Sequence, residues 1–267
     1  MKIGILGSGT WGTALANMLA NNGYEVTVFG KKPAEIDYLN ENRVHKHLPG
    51  CVLSKSILFT CNIKQACINM PVVVFATPSV YIRETAIAAK EYISKEAILV
   101  TVAKGIEPDS LFTMSEVIEN VIGKTNPVVA LSGPTHAEEV AIGKPTLIVS
   151  SCEDLEVAKK IQQIFSNNVL RVYTNTDIRA VELCGALKNI IALAAGMSDG
   201  MGFGDNAKAA IITRGLTEIT RLGRALGGNE STFFGLTGIG DIVVTATSLH
   251  SRNHNAGVLL GQGKSLE

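Results

Sequence analysis

Apolar residues run along this chain in short blocks, and what separates the blocks predicts the fold. Ile3, Ile5 and Leu6 form the first block, and a helix-like segment follows a glycine-rich turn and ends at Gly23. Strand, tight turn and helix succeed one another without a linker. A second strand is predicted at 25–29. Continuous apolar runs then recur at 72–76, 97–103, 128–131, 146–150 and 170–173, with helical stretches at 80–92, 111–122 and 155–165. Runs of this kind, alternating with helices, are what a parallel sheet covered on both faces requires. The polar segment 35–55 predicts a helix and an exposed loop, so 72–76 is expected as the third strand. From Asp177 onward the residues suit helices, with no strand alternation and no proline. The predicted architecture is an α/β, Rossmann-type, mainly parallel sheet domain over residues 1–175, followed by an all-α domain over 176–267.

Composition narrows the function classes. The 267 residues suffice for a sizeable core, and Lys plus Arg equals Asp plus Glu at 24 each. That balance gives no footprint for nucleic acid. Five cysteines, without CxxC spacing, predict free thiols in a reducing compartment and hence a cytoplasmic protein. No metal site is expected, since His45 and His47 have no further ligand nearby. Only four residues separate Lys2 from the glycine turn, too few for a leader peptide. The most apolar stretch, 190–197, falls far short of the ~20 residues of a membrane span, so no stable membrane insertion is expected. Oligomeric state is open, a homodimer included.

The candidate chemistry begins at the first turn. Gly7 allows the sharp exit from the strand, Gly9 lets backbone approach a phosphate, and Gly12 allows close packing of helix on strand, a spacing that fits a dinucleotide pyrophosphate. The anion is expected at the helix N-terminus, among unpaired N–H groups. No acid lies between Glu25 and Glu35, whereas Lys31 and Lys32 follow the second strand. A carboxylate there would hold a ribose 2′-hydroxyl and a lysine would accept a 2′-phosphate, so NADPH is favoured with NADH as the alternative. Two solvated loop lysines fit the same pattern. Lys104 ends the fourth predicted strand, where ligands of open α/β sheets bind, although a solvent-facing lysine fits that place too. Thr135 and Glu138 have capping-box spacing.

Lys188 is the sharpest anomaly. At helical spacing Val181, Cys184, Lys188, Ile191 and Ala195 share one face, so an ammonium interrupts an apolar stripe. Burial is relieved by a lowered pKa or a carboxylate partner, and either suits a lysine that exchanges a proton. A snorkelling lysine at the stripe's edge is the alternative. Downstream, Gly235–Gly240 leads to Asp241 at a helix start, and Ser251-Arg252-Asn253 precedes another helix. A capping serine beside an arginine suits a phosphate. With Lys104 and Lys188 they describe a site for a small anionic substrate.

The set GSGTWGTALA, AKGI, LSGPTHAEEVA, ELCGALKNIIALAAGMSDGMGFGDN, GIGDIVVTATS and SRN closely resembles the bacterial NAD(P)-dependent glycerol-3-phosphate dehydrogenases, in order along essentially the whole chain. The resemblance implies reversible reduction of dihydroxyacetone phosphate to sn-glycerol 3-phosphate, feeding glycerophospholipid synthesis. It implies that Lys188 is the catalytic proton donor and acceptor at the C2 oxygen. Lys104, Gly133, Thr135, Asp241, Ser251, Arg252 and Asn253 match substrate contacts; Thr10, Trp11, Lys31, Lys104, Ala137 and Arg252 match cofactor contacts. Lys104 is expected to lower the pKa of Lys188, and Asp241 to orient it. The family continues with further helices where this chain ends at Leu266-Glu267, so the helical domain is expected to be incomplete. Two other readings compete: a different NADP-dependent reductase of the same build, and an NADP-binding sensor without catalysis.

Overall fold

The computed structural model describes residues 1–265. Two compact units emerge: one of residues 1–131 and 135–176, the other of residues 132–134 and those from Asp177 onward.

The first unit alternates strands and helices: β1 (Lys2–Leu6), α1 (Thr10–Asn21), β2 (Glu25–Phe29), α2 (Pro33–Asn42), β3 (Leu58–Thr60), β4 (Val72–Phe75), α3 (Ile82–Ala89), β5 (Ile98–Thr101), α4 (Met114–Ile122), β6 (Val128–Ser132), α5 (Ala137–Ala141), β7 (Thr146–Ser151), α6 (Leu155–Phe165) and β8 (Leu170–Asn175). They form one eight-stranded sheet in the order β3-β2-β1-β4-β5-β6-β7-β8. β1 pairs in parallel with both β2 and β4, with Leu6 opposite Phe29 on one side and Phe75 on the other. The order therefore reverses at β1 and β4, which makes a crevice at their C-terminal ends.

Burial on both faces explains the unbroken apolar runs. Along β4, Val72 and Val74 enter one core with Ile3, Ile5, Leu15 and Val28, while Val73 and Phe75 enter a second with Leu6, Ile82 and Leu99. Successive side chains of a strand point to opposite faces, so a strand between two cores has no polar position. The eighth strand, β3, was not expected, which makes the run at 72–76 the fourth in chain order. Only three residues of β3 pair with β2, too few to show a period in sequence. The helix expected at 80–92 is α only over Ile82–Ala89, with 3-10 turns at Ser79–Tyr81 and Lys90–Tyr92. The helix expected at 111–122 begins at Met114, where Thr113 and Glu116 form a capping box. The cap expected at Thr135 is replaced: His136 keeps extended backbone (φ −81°, ψ 126°), and α5 turns helical only at Ala137 without a side-chain cap bond.

The second unit is helical: α7 (Ile178–Gly200), α8 (Gly204–Ala225), α9 (Glu230–Phe233), a π-helical turn (Leu236–Gly240), α10 (Asp241–Thr247) and α11 (Arg252–Gly261). Asp177 starts it, accepting the Ala180 amide at 3.1 Å and, through its other oxygen, the Asn229 amide at 2.6 Å. By length and composition α7 meets the criterion for a membrane span, because the helix is 23 residues long and not merely its apolar tract. It nevertheless buries Glu182 and Lys188 beside Val181, Cys184, Ala192 and Ala195, as the core helix of this unit.

Candidate active site

The glycine turn is built by contact. Gly7 has φ +132°, and a Cβ on it would lie 2.7 Å from the Ala76 carbonyl at the end of β4; a Cβ on Gly12 would lie 2.2 Å from the Gly7 oxygen. Neither position tolerates a side chain. Gly9, the N-cap of α1, differs, since a Cβ there meets nothing within 4 Å. The turn thus presents bare backbone to open space at a helix N-terminus whose first turn holds no acid, beginning with Thr10 and the partly buried Trp11. Unpaired N–H groups in that setting suit a pyrophosphate, so the residues present fit a dinucleotide.

The first unit holds further candidates. Gly30 abuts the glycine turn, because a Cβ there would lie 2.4 Å from the Ser8 Oγ. Ser8 Oγ donates to Glu35 Oε1 at 2.8 Å. Lys31 follows Gly30 and donates to Glu84 Oε1 at 2.8 Å. Glu84, the leading cause, holds the Lys31 ammonium above its ordinary pKa. Lys104 follows β5, half-buried, on a loop fixed from two directions. A Cβ on Gly105 would lie 2.5 Å from Ser79 Cβ. Further along, Glu107 accepts Nε and Nη2 of Arg83 at 2.8 Å each and the Ser110 hydroxyl. The Arg83 and Ser110 hydrogen bonds bring the Glu107 carboxyl down to about 2. Thr135 and Ala137 are also half-buried in this unit, Ala137 as the first residue of α5.

In the second unit Lys188 is 7% exposed, and its Nζ pairs with Asp241 Oδ1 and donates to Thr245 Oγ1 at 2.7 Å. Of the two reliefs for a buried ammonium, a carboxylate is present. The Thr245 hydroxyl donates a hydrogen bond to the Asp241 carbonyl at 2.6 Å, so its lone pair faces the lysine. Asp241, 1% exposed, opens α10. Ser251 caps α11, its Oγ accepting the His254 amide at 3.2 Å, which leaves the hydroxyl proton to donate. Arg252 is exposed and Asn253 half-buried in the first turn of that helix. Gly133 belongs to this unit too.

A second polar chain holds the same helix. His254 Nε2 lies 2.8 Å from Asp199 Oδ2 near the end of α7, and Lys208 of α8 reaches that oxygen at 2.9 Å. Burial opposes the Asp199 charge, but hydrogen bonds from Lys208 and His254 outweigh it and hold the carboxyl below its ordinary range. Sequence reading missed Thr245, Glu84, Arg83, Glu107, Asp199, Lys208 and His254. Only Thr245 carried a signal, four residues after Asp241 and so on the same helical face. Among the described residues no group of three or more His, Cys, Asp or Glu is arranged to hold a metal.

Comparison with known proteins gives these groups a context. Residues 2–158 match the N-terminal family model of NAD-dependent glycerol-3-phosphate dehydrogenase, and residues 177–267 match the C-terminal one. Glycerol-3-phosphate dehydrogenase (NAD(P)+) 2 of Lactobacillus delbrueckii subsp. bulgaricus is 55% identical over 271 residues, covering 100% of this chain and 80% of the relative. Glycerol-3-phosphate dehydrogenase (NAD(P)+) of Bacillus velezensis is 51% identical over 269 residues, covering 100% of this chain and 78% of the relative. A crystal structure of glycerol-3-phosphate dehydrogenase from Coxiella burnetii superposes with a TM-score of 0.94 at 36% identity, covering 98% of this chain and 80% of that one. The chain is an oxidoreductase and belongs to the NAD-dependent glycerol-3-phosphate dehydrogenase family.

Proposed function

We propose that this chain reduces dihydroxyacetone phosphate to sn-glycerol 3-phosphate, reversibly, with NADPH or NADH, in the cytoplasm, and that the product enters glycerophospholipid synthesis. Residues 1–175 act as the dinucleotide-binding domain and residues 176–267 as the substrate and catalytic domain. The observation that carries the reading is the buried Lys188 ammonium held by Asp241 and Thr245. Five thiols without a disulfide support a reducing compartment.

Gly7, Gly9, Thr10, Trp11 and Gly12 hold the pyrophosphate side of the cofactor, with Lys31 at the ribose and Lys104, Ala137 and Arg252 as further contacts. When bound, the nicotinamide supplies the hydride that reaches C2 of the ketone. Lys188 then acts on the oxygen. As the C2 carbonyl gains the hydride, negative charge develops there, and the Lys188 ammonium stabilises it and delivers the proton that completes the alcohol. In the reverse direction the neutral amine takes that proton back. Asp241 and Thr245 fix Nζ, so its orientation is set before substrate arrives. Ser251, Arg252 and Asn253 grip the phosphate through a hydroxyl, a guanidinium and helix N–H groups. Lys104, Gly133, Thr135 and Asp241 complete the substrate contacts.

Steady-state oxidation of NADPH and NADH tests this, with dihydroxyacetone phosphate and ketopantoate as rival substrates. Turnover is expected with the former alone. K188A is expected to lose about 100- to 10,000-fold in kcat, the usual worth of a positioned general acid, with NADPH affinity unchanged. Retained turnover in K188A, or preference for ketopantoate, overturns the reading.

A further inference from the structure

No acid follows Glu25 until Glu35, so the end of β2 lacks the carboxylate that ordinarily reaches the adenosine ribose from there. The fold supplies one from elsewhere. Glu84, in the first turn of α3, lies 53 residues beyond Lys31 in sequence and 2.8 Å from its Nζ. The lysine stands one residue after Gly30, which touches the glycine turn at Ser8. The ammonium and the carboxylate thus lie together beside the strand end where the ribose 2′ position is expected in this type of sheet.

We propose that Glu84 determines cofactor selectivity: paired with Lys31, it accepts the 2′-hydroxyl of NADH and repels the 2′-phosphate of NADPH, so the pair holds the two cofactors near parity. This rests on the reading that Lys31 meets the ribose 2′ position. A 2′-phosphate brings close to two negative charges beside a lysine whose charge Glu84 already answers. Binding it draws Lys31 away from Glu84 or sets phosphate and carboxylate side by side. A 2′-hydroxyl faces neither difficulty, since it donates to the carboxylate and leaves the ion pair intact. Lysine alone would select the phosphate, and glutamate alone the hydroxyl.

Both side chains are largely exposed, 81% for Lys31 and 62% for Glu84, so substitutions here spare the core. The same exposure sets the size of the effect, because charge pairs in solvent alter binding only modestly. Calorimetric binding of NADP+ and NAD+ to the full chain provides the test, with E84Q, E84A and K31A beside the parent protein. E84Q removes the charge and keeps an acceptor oxygen. It is expected to tighten NADP+ roughly two- to fivefold and leave NAD+ unchanged. E84A is expected to tighten NADP+ similarly and to weaken NAD+. K31A is expected to weaken NADP+ selectively. An unchanged ratio of the two affinities in both Glu84 variants, with K31A still weakening NADP+, overturns the role of Glu84 and spares that of Lys31. A K31A variant that binds NADP+ as the parent does overturns the placement of Lys31 itself. The ratio of kcat/KM for NADPH and NADH is expected to move in parallel.

Discussion

Lys188 stays charged inside α7 because α10 brings two groups to it, and the two differ in what their loss does. Removing the Asp241 charge breaks the ion pair of an ammonium in a site 7% exposed, and breaking a buried pair costs about 3–5 kcal/mol. Thr245 contributes a hydrogen bond to a charged donor, worth roughly 1.5–3 kcal/mol. D241N is therefore expected to lower the thermal midpoint of the second unit more than T245V does, as read by calorimetry. Equal stability of D241N and the parent contradicts the pairing. Part of this arrangement was readable. A lysine interrupting an apolar helical stripe announces a charge that needs a carboxylate partner or a lowered pKa. That Lys188 and Asp241 meet was implied only by the family resemblance and by no local pattern, because 53 residues and a π-helical turn separate them. Glu84 was hidden for the same reason: a pair formed between the end of a strand and a helix two strands later has no local period.

At the scale of elements, the position of the phosphate-binding candidates depends on how closely α11 lies on α7. A Cβ on Gly196 would lie 2.0 Å from the His254 oxygen, and one on Gly200 would lie 2.3 Å from the Val258 oxygen. The reciprocal pair is as tight: a Cβ on Gly257 would lie 2.2 Å from the Leu193 oxygen, and one on Gly261 2.3 Å from the Met197 oxygen. The two helices advance together in the same direction, backbone on backbone, and Ser251, Arg252 and Asn253 sit at the end so fixed. In an exposed helix interior, glycine to alanine stabilises by about 1 kcal/mol. G257A is expected to have the opposite sign, destabilising by about 1–3 kcal/mol, because the obstructing atom is backbone and α11 must shift as a unit. It is also expected to raise KM for dihydroxyacetone phosphate, because Ser251, Arg252 and Asn253 shift with the helix. A stabilised G257A overturns the close packing. The helices themselves were legible, since α6 and the helical run after Asp177 follow directly from apolar periodicity. Their glycines were not, because a glycine that admits another helix and one that merely weakens its own read alike. Nor was β3, which has no period to show and is held in the sheet by pairing with β2.

Across the whole molecule the cysteines report on each unit separately. Cys51, Cys67 and Cys152 are buried in the first unit and Cys184 in the second, while Cys61 alone is exposed. Burial pushes the Cys67 and Cys184 thiols up to about 12 and raises Cys51 and Cys152 as well. The thiolate is the nucleophile, so burial both disfavours the reactive form and closes the path to reagent at these four. Rapid reaction with a disulfide reagent is therefore expected at Cys61 in the native protein and at all five positions in denaturant. The slow phase carries more information, because each buried thiol reacts only when its surroundings open. Asp241 holds α10 against α7, the helix that contains Cys184. D241N is expected to speed labelling of Cys184 several-fold, followed residue by residue by mass spectrometry, and to leave Cys67 at the parent rate. Equal acceleration at Cys67 would mean that the two units open together, and no acceleration at Cys184 would mean that the buried ion pair does not secure α7.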